Sequence, residues 1–221
     1  MEVRSEQNGP NWEAVLSYLA AGQVVVGVDE VGRGAWAGPV VAGAVVLPPG
    51  LQLPGLADSK LLSAPARRRL DRQIRAQALA VGLGWVAPAE VDAQGLSWAV
   101  RQSGLRALAE LVLAGGLAYD LVVLDGKHNY LAGESKSMAL VKADALVTPV
   151  AAASVVAKVA RDRYMELLAR RYVGYGFERH VGYGTAMHRA TLAESGVSAL
   201  HRRSVRPVAA LVSAAEAGRV S

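Results

Sequence analysis

The sequence predicts an α/β fold in which a mixed central β-sheet is flanked by helices. Apolar runs of strand length, Gln23–Asp29 and Pro39–Leu47 foremost, are almost continuous, as in strands covered on both faces. Segments of helical character are mixed with these runs without strict alternation, which points to a mixed sheet. Hydrophobic residues make up 52% of the 221-residue chain and charged residues 19%, a balance that builds a packed core.

The elements follow in order. Residues 1–21 read as a short lead-in with a helix around Trp12–Ala20, and residues 22–221 as a single domain ending in a helical region. Gln23–Asp29 is the first strand and Pro39–Leu47 the second, with the glycine-rich turn Gly32–Gly38 between them. Ser63 before Ala64-Pro65-Ala66 starts a helix that runs to about Leu79, with Pro65 in its first turn. Val81–Ala87 is a third strand. Ser97–Ala114 is a helix with Leu105, Leu108, Leu111 and Val112 on its apolar side. Tyr119–Leu124 is a strand ending on Asp125, and Ala139–Lys142 a short strand running into Asp144. Thr148-Pro149 opens the longest helix, to about Arg171. Gly174–Gly184 reads as loop, and Thr185–Glu194 and Pro207–Ala217 close the chain as helices.

Composition excludes several classes. With no cysteine the chain has no disulfide, thiolate zinc site, iron–sulfur cluster or cysteine nucleophile. The charge-free run Gly34–Ala57 carries Pro39, Pro48, Pro49 and Pro54, which a membrane-spanning helix would not. Met1–Glu13 lacks the basic-then-apolar order of a signal peptide, so the cytoplasm is the expected compartment. Net charge is +5, and residues 155–221 hold eleven basic residues against five acids. A basic segment beside a near-neutral body suits a polyanion, although a solvated arginine-rich face would look the same.

Four acids fall at or near strand ends: Asp29 and Glu30 on the first strand, Asp125 on a later one, and Asp144 after the short one. Carboxylates at the ends of apolar strands need water or a cation. Gathered side by side, they would stay ionised only around metal, and oxygen-only donors select Mg²⁺ or Mn²⁺. Taken singly, each also reads as a cap or a solvated loop acid. Adjacent strand residues face opposite sides, so Asp29 and Glu30 can share a site only where the strand ends or bulges.

The turn Gly32-Arg33-Gly34-Ala35-Trp36-Ala37 matches a dinucleotide-binding pattern, but that pattern requires a helix next, and a strand follows. A nucleotide-cofactor oxidoreductase is therefore not expected. The better use of such a turn is close backbone approach to a sugar–phosphate chain, with Arg33 near a phosphate. Ser154 and Lys158 share one face of the longest helix, facing either phosphate or a small-residue packing seam around Ala151–Ala153. His128, His180, His188 and His201 show no metal-ligand spacing, and His180 or His201 is a candidate nucleic-acid contact. Trp36, Trp85 and Trp98 read as packing residues.

Val28-Asp29-Glu30-Val31-Gly32-Arg33-Gly34, then Gly38-Pro39-Val40 and Asp58-Ser59-Lys60, closely resemble ribonuclease HII, the type 2 ribonuclease H. The resemblance continues through Leu124-Asp125-Gly126, Lys142-Ala143-Asp144 and Ala152-Ala153-Ser154-Val155-Val156-Ala157-Lys158-Val159. It includes Arg161-Asp162, resumes at Tyr175-Gly176-Phe177, His180, Gly182-Tyr183-Gly184-Thr185 and His188, and ends with His201-Arg202-Arg203-Ser204, spanning about residues 23–208.

The resemblance implies a ribonuclease-H-like fold and an endonuclease that cleaves the RNA strand of RNA–DNA hybrids. It also implies incision at single ribonucleotides embedded in duplex DNA, by a two-metal-ion route giving 3′-hydroxyl and 5′-phosphate ends. Asp29, Glu30, Asp125 and Asp144 fall on the family's catalytic, metal-binding acids, which hold two Mg²⁺ or Mn²⁺ ions. Gly32, Arg33 and Gly34 match the loop that reads the ribose, Tyr183 a tyrosine that stacks on the neighbouring deoxyribose, and Lys60 a phosphate contact. Val205 replaces a phenylalanine usual after His-Arg-Arg-Ser, a packing change. Residues 209–221 lack a glutamine-plus-aromatic clamp motif, so sliding-clamp binding is not expected. Residues 1–21 are too few for the N-terminal domain of ribonuclease HIII, and a monomer is expected. A binding module that kept the fold without turnover is the alternative, against which the intact acids stand.

Overall fold

The computed structural model describes residues 15, 17, 20–56, 59, 62–133 and 136–220, with the side chains of the last helix described as far as 213. Lys60 and most of the lead-in lie outside the described residues. Residues 15, 17 and 20 are helical, and Val15 is buried in a cluster with Val25, Leu121 and Val150.

Five strands form one mixed sheet: β1 Val25–Val31, β2 Val40–Val46, β3 Ala80–Val86, β4 Leu121–Asp125 and β5 Ser137–Leu140, in the order β3-β2-β1-β4-β5. The β1–β2 and β2–β3 pairs are antiparallel, and the β1–β4 and β4–β5 pairs are parallel. The first strand does not stop at Asp29. Its ladder with β2 runs on through Asp29↔Gly43, Glu30↔Ala42 and Val31↔Val41.

The helices are α1 Ala64–Gln77, α2 Pro88–Gln94, α3 Leu96–Gly115, α4 Ala143–Leu146, α5 Thr148–Arg171, α6 Phe177–His180, α7 Ala186–Ser195 and α8 Arg206–Val220. Ser63 caps α1, its hydroxyl accepting from the Ala66 N–H. Strand glycines seat the two long helices. A Cβ at Gly82 or Gly84 of β3 would run into the α3 backbone at Ala107 and Ser103. One at Gly27 or Gly43 would run into α5 at Pro149–Val150 and Ala153. Close seating of this kind is what glycine in a strand allows. One face of the sheet, with Val26, Val28, Ala42 and Ala44, packs on Ala107, Leu108 and Leu111 of α3. The other packs on α5, where Ala151, Ala152 and Ala153 are all buried. Those alanines are the packing seam.

Three expectations are corrected. Asp144 does not follow a strand directly: β5 ends at Leu140, Lys142 adopts a left-handed conformation (φ 59°), and Asp144 lies in the first turn of α4. The segment 174–184 is not all loop, because Phe177–His180 forms a single helical turn between Gly176 (φ 72°) and Val181 (φ 42°). A helix at Pro88–Gln94, absent from the sequence reading, starts where Glu90 accepts from the Ala87 N–H (2.9 Å). Among the described residues no helix is long and apolar enough to cross a membrane.

Candidate active site

β1 and β4 are parallel neighbours whose last register pair is Val28↔Leu124. One residue further on stand Asp29 and Asp125, on the same face, with a strand spacing of about 4.8 Å. That face is the α5 side. Asp29 is buried with the Ser154 hydroxyl of α5 close enough to offset part of its upward shift, and its Oδ1 accepts from the Glu30 N–H (2.8 Å). Burial first, then the Glu30 and Asp125 carboxylates, push the Asp29 carboxyl up to about 8. Ser154 also bonds Ser59 (2.8 Å), which fixes its hydroxyl. Asp125 accepts from the Ala143 N–H (2.9 Å), so it pins the start of α4, where Asp144 is buried one residue on.

Glu30 is the strand neighbour of Asp29, and its charge raises the Asp29 carboxyl more than that of Asp125 does. Strand alternation turns it to the α3 side, because β1 is still regular there. Its Oε1 pairs with the exposed Arg33 (2.9 Å), and its Oε2 accepts from the Tyr130 hydroxyl (3.2 Å). The Tyr130 phenol is pushed well up by burial and by the Glu30 and Asp29 charges. The structure thus brings all four acids to one end of the sheet, with Asp29 and Asp125 on the α5 side, Asp144 at the start of α4, and Glu30 leaving β1 toward α3 with its charge felt at Asp29. Among the described residues no three His, Asp or Glu side chains are already grouped to hold an ion.

The glycine turn lies just beyond. Gly32 has φ 90°, and a Cβ there would strike the Arg161 side chain, whereas a Cβ on Gly34 would meet nothing within 4 Å. The turn is stitched to the Tyr183 segment: the Trp36 and Ala37 N–H groups donate to the Gly182 carbonyl (2.8 and 3.2 Å), and Ala35 bridges Tyr183. Gly32, Arg33, Gly34 and Tyr183 therefore lie on two segments that are joined by main-chain hydrogen bonds.

One stripe of α5 serves both regions. Ser154, Lys158, Arg161 and Met165 recur at helical spacing. Ser154 reaches Asp29, and Lys158 and Arg161 lie over the Tyr183 ring at 5.7 and 5.4 Å. Met165 fills the space beside Gly38 and Gly182. Lys158 also pairs with Asp162 (2.8 Å). Tyr130 was missed by the sequence reading, and Arg161 and Arg202 fell in matching segments without being given a role. The 3- and 4-residue spacing of the α5 stripe was the available signal for Arg161.

His180 and His201 are not surface contacts for nucleic acid: both are buried, as is His188, around Phe177. Hydrogen bonds hold all three rings in place. The Ser198 N–H donates to His201 Nδ1 (3.0 Å), His201 Nε2 donates to His188 Nε2 (3.0 Å), and His188 Nδ1 donates to the Tyr183 carbonyl (2.9 Å). His180 accepts from the Gly182 N–H (3.2 Å) and donates to the Tyr175 carbonyl (2.8 Å). Trp36 packs on Gly184 and His188, and Trp85 on Tyr164, as packing residues.

A mixed five-stranded sheet with acids at the ends of two central parallel strands, between α3 and α5, defines the ribonuclease-H-like class. A crystal structure of the ribonuclease H2 from Pyrococcus horikoshii OT3 superimposes with a TM-score of 0.72 at 26% identity, covering 85% of this chain and 96% of that one. Bst-RNase HIII in complex with Mn²⁺ shares the fold with a TM-score of 0.64 at 21% identity, covering 88% of this chain and 70% of that one. The Ribonuclease HII family model matches residues 26–208, and the Ribonuclease HII of Nitrosococcus oceani is 46% identical over 88% of this chain and 94% of its own length. The chain belongs to the ribonuclease HII family. It is a hydrolytic endoribonuclease of the ribonuclease H kind, acting on RNA–DNA hybrids.

Proposed function

We propose that the chain also incises duplex DNA at a single embedded ribonucleotide, and that both reactions depend on two divalent cations and leave 3′-hydroxyl and 5′-phosphate ends. The observation that carries this reading is the buried Asp29 beside Asp125, its carboxyl raised to about 8. Among the described residues no Lys or Arg pairs with Asp29, and a carboxylate so placed is ionised at neutral pH only beside a cation.

The donors are all carboxylate oxygens, which fits Mg²⁺ or Mn²⁺ and not a softer metal. Held by Asp29, Glu30, Asp125 and Asp144, these ions supply the charge neutralisation and water activation that phosphodiester hydrolysis needs. Every other task falls to the chain. Tyr130 and Arg33 each hold one oxygen of Glu30, so the acid and the glycine turn move as one. The open space at Gly34 admits a sugar–phosphate backbone, and the Gly32–Gly34 main chain reads the 2′-hydroxyl that separates RNA from DNA. Tyr183 packs on the neighbouring deoxyribose, Lys60 contacts a phosphate, and the basic C-terminal third holds the rest without sequence preference. The chain acts as a monomer in the cytoplasm, without a sliding clamp.

The test is a nicking assay on a duplex carrying one ribonucleotide, beside a full hybrid, in Mg²⁺, Mn²⁺ and chelator. Metal-dependent nicks at the ribonucleotide are expected. Cleavage of the hybrid with no incision of the other substrate overturns the proposal.

A further inference from the structure

We infer that Arg161 and Arg202 are positioning residues for the substrate-reading turn, their guanidinium forks setting which way its main chain faces. This rests on the assignment of Gly32–Gly34 to substrate contact made above. Both arginines are fully buried, at 0% exposure. Among the described residues neither forms an ion pair. The nearest acids are engaged elsewhere, Asp162 with Lys158 and Asp92 with the Arg203 and Ser204 N–H groups. Burial pulls both guanidiniums down, Arg202 to about 10, which still leaves it charged at neutral pH. Two buried cations without carboxylates are costly, and apolar residues of that size would fill the same volume more cheaply.

What the pair does instead is bind main chain. Arg161 donates to the carbonyls of Pro39 (2.9 Å), Ala37 (3.1 Å) and Val181 (2.8 Å). Arg202 donates twice to the Gly38 carbonyl (3.0 and 2.8 Å) and once to that of Arg33 (3.2 Å). Arg202 thereby closes the turn from Arg33 to Gly38, and Arg161 ties its far end to the residue before Gly182-Tyr183. With these carbonyls drawn inward, the Arg33 and Gly34 N–H groups have no acceptor among the described residues, and the space beside Gly34 is open. Successive free N–H groups above two buried positive charges are arranged to meet an oxygen of the bound strand. Each arginine uses three separate nitrogens to reach its carbonyls, and a lysine, whose donors sit on a single nitrogen, does not reproduce that spread.

The test compares Arg202→Lys and Arg161→Lys with wild type, melting curves first establishing that each folds. On a duplex with one ribonucleotide in Mg²⁺, KM should rise about tenfold while kcat stays within about threefold. In chelator, fluorescence anisotropy should show the affinity ratio between that duplex and its all-DNA counterpart falling toward one. A lowered melting temperature with unchanged KM and unchanged ratio overturns the inference. Should both variants fail to fold, the Nε–Hε NMR signals of Arg161 and Arg202 in the wild-type protein are read instead. They should shift on adding the ribonucleotide duplex and not the all-DNA one, and signals that stay still overturn it. Loss of selective binding in a lysine variant, with a wild type that nicks nothing, would fail the proposed function and leave the positioning role standing.

Discussion

Asp29 and Asp125 stand side by side one residue past Val28↔Leu124, where two parallel strands reach the same end of the sheet. Their shared face, and not their chain positions 96 residues apart, makes them a pair. Replacing Asp125 with Asn should therefore reduce cleavage of a hybrid by about a thousandfold or more, since charge stabilisation is commonly the largest catalytic term. Binding of the hybrid in chelator should change little. Wild-type cleavage by the folded variant in Mg²⁺ would remove Asp125 from the chemistry.

The raised Asp29 carboxyl gives the metal-free protein a pH-dependent stability. Unfolded, Asp29 loses its proton near 3.8; folded, it keeps it to about 8. The native state therefore holds the extra proton between those values, and this group lowers stability as pH rises through that window, by at most about 1.4 kcal/mol per unit. Thermal melts in chelator at pH 6.5–8.5 should show a smaller decline with pH for Asp29→Asn than for wild type. Parallel curves would contradict it.

The histidine relay acts in the opposite direction and at lower pH. His201 is pulled down to about 4, by burial first and then by the His188 charge. The unfolded chain takes up its proton near 6.5, so stability is full above that value and is lost as pH falls toward 4, by at most about 3 kcal/mol. Protonating either ring of the His188–His201 contact also places two donors face to face. His201→Gln should flatten the acid limb of a stability–pH curve measured at pH 4–6.5. An unchanged limb would show that the relay does not titrate with unfolding.

Gly32 and Gly34 should separate structure from contact. Gly32→Ala meets Arg161 and a positive φ, so a loss of about 1–3 kcal/mol is expected in a denaturant melt. Gly34→Ala projects into open space and should hold stability within about 0.5 kcal/mol, yet lower incision at a single ribonucleotide. Equal losses of stability in the two variants would refute this division.

Much of this was legible because it is local. Apolar runs marked β1 to β4, Ser63-Pro65 marked the start of α1, and Asp29, Glu30 and Asp125 could be placed at strand ends from pattern alone. Boundaries failed where one residue redirects the chain, as at Lys142, whose left-handed conformation moves Asp144 from a strand end into α4. No break follows Asp29: the β1–β2 ladder holds through Val31, so Glu30 leaves the strand on the opposite face, and its charge still acts on Asp29. The supports of the turn were illegible for a different reason. Arg161 reaches Pro39 across 122 positions and Arg202 reaches Gly38 across 164, and a carbonyl partner leaves no side-chain signature. The histidines misled because exposure cannot be read from residue type, and theirs is set by Phe177 and each other.

Calorimetric titration of Mn²⁺ into the wild-type protein, Asp29→Asn and Asp125→Asn tests most directly whether these two carboxylates hold a common ion. Shared coordination predicts a site in the wild type that either substitution weakens at least about tenfold, consistent with the loss of one carboxylate ligand. Wild-type affinity and stoichiometry in a folded Asp125→Asn protein would contradict it.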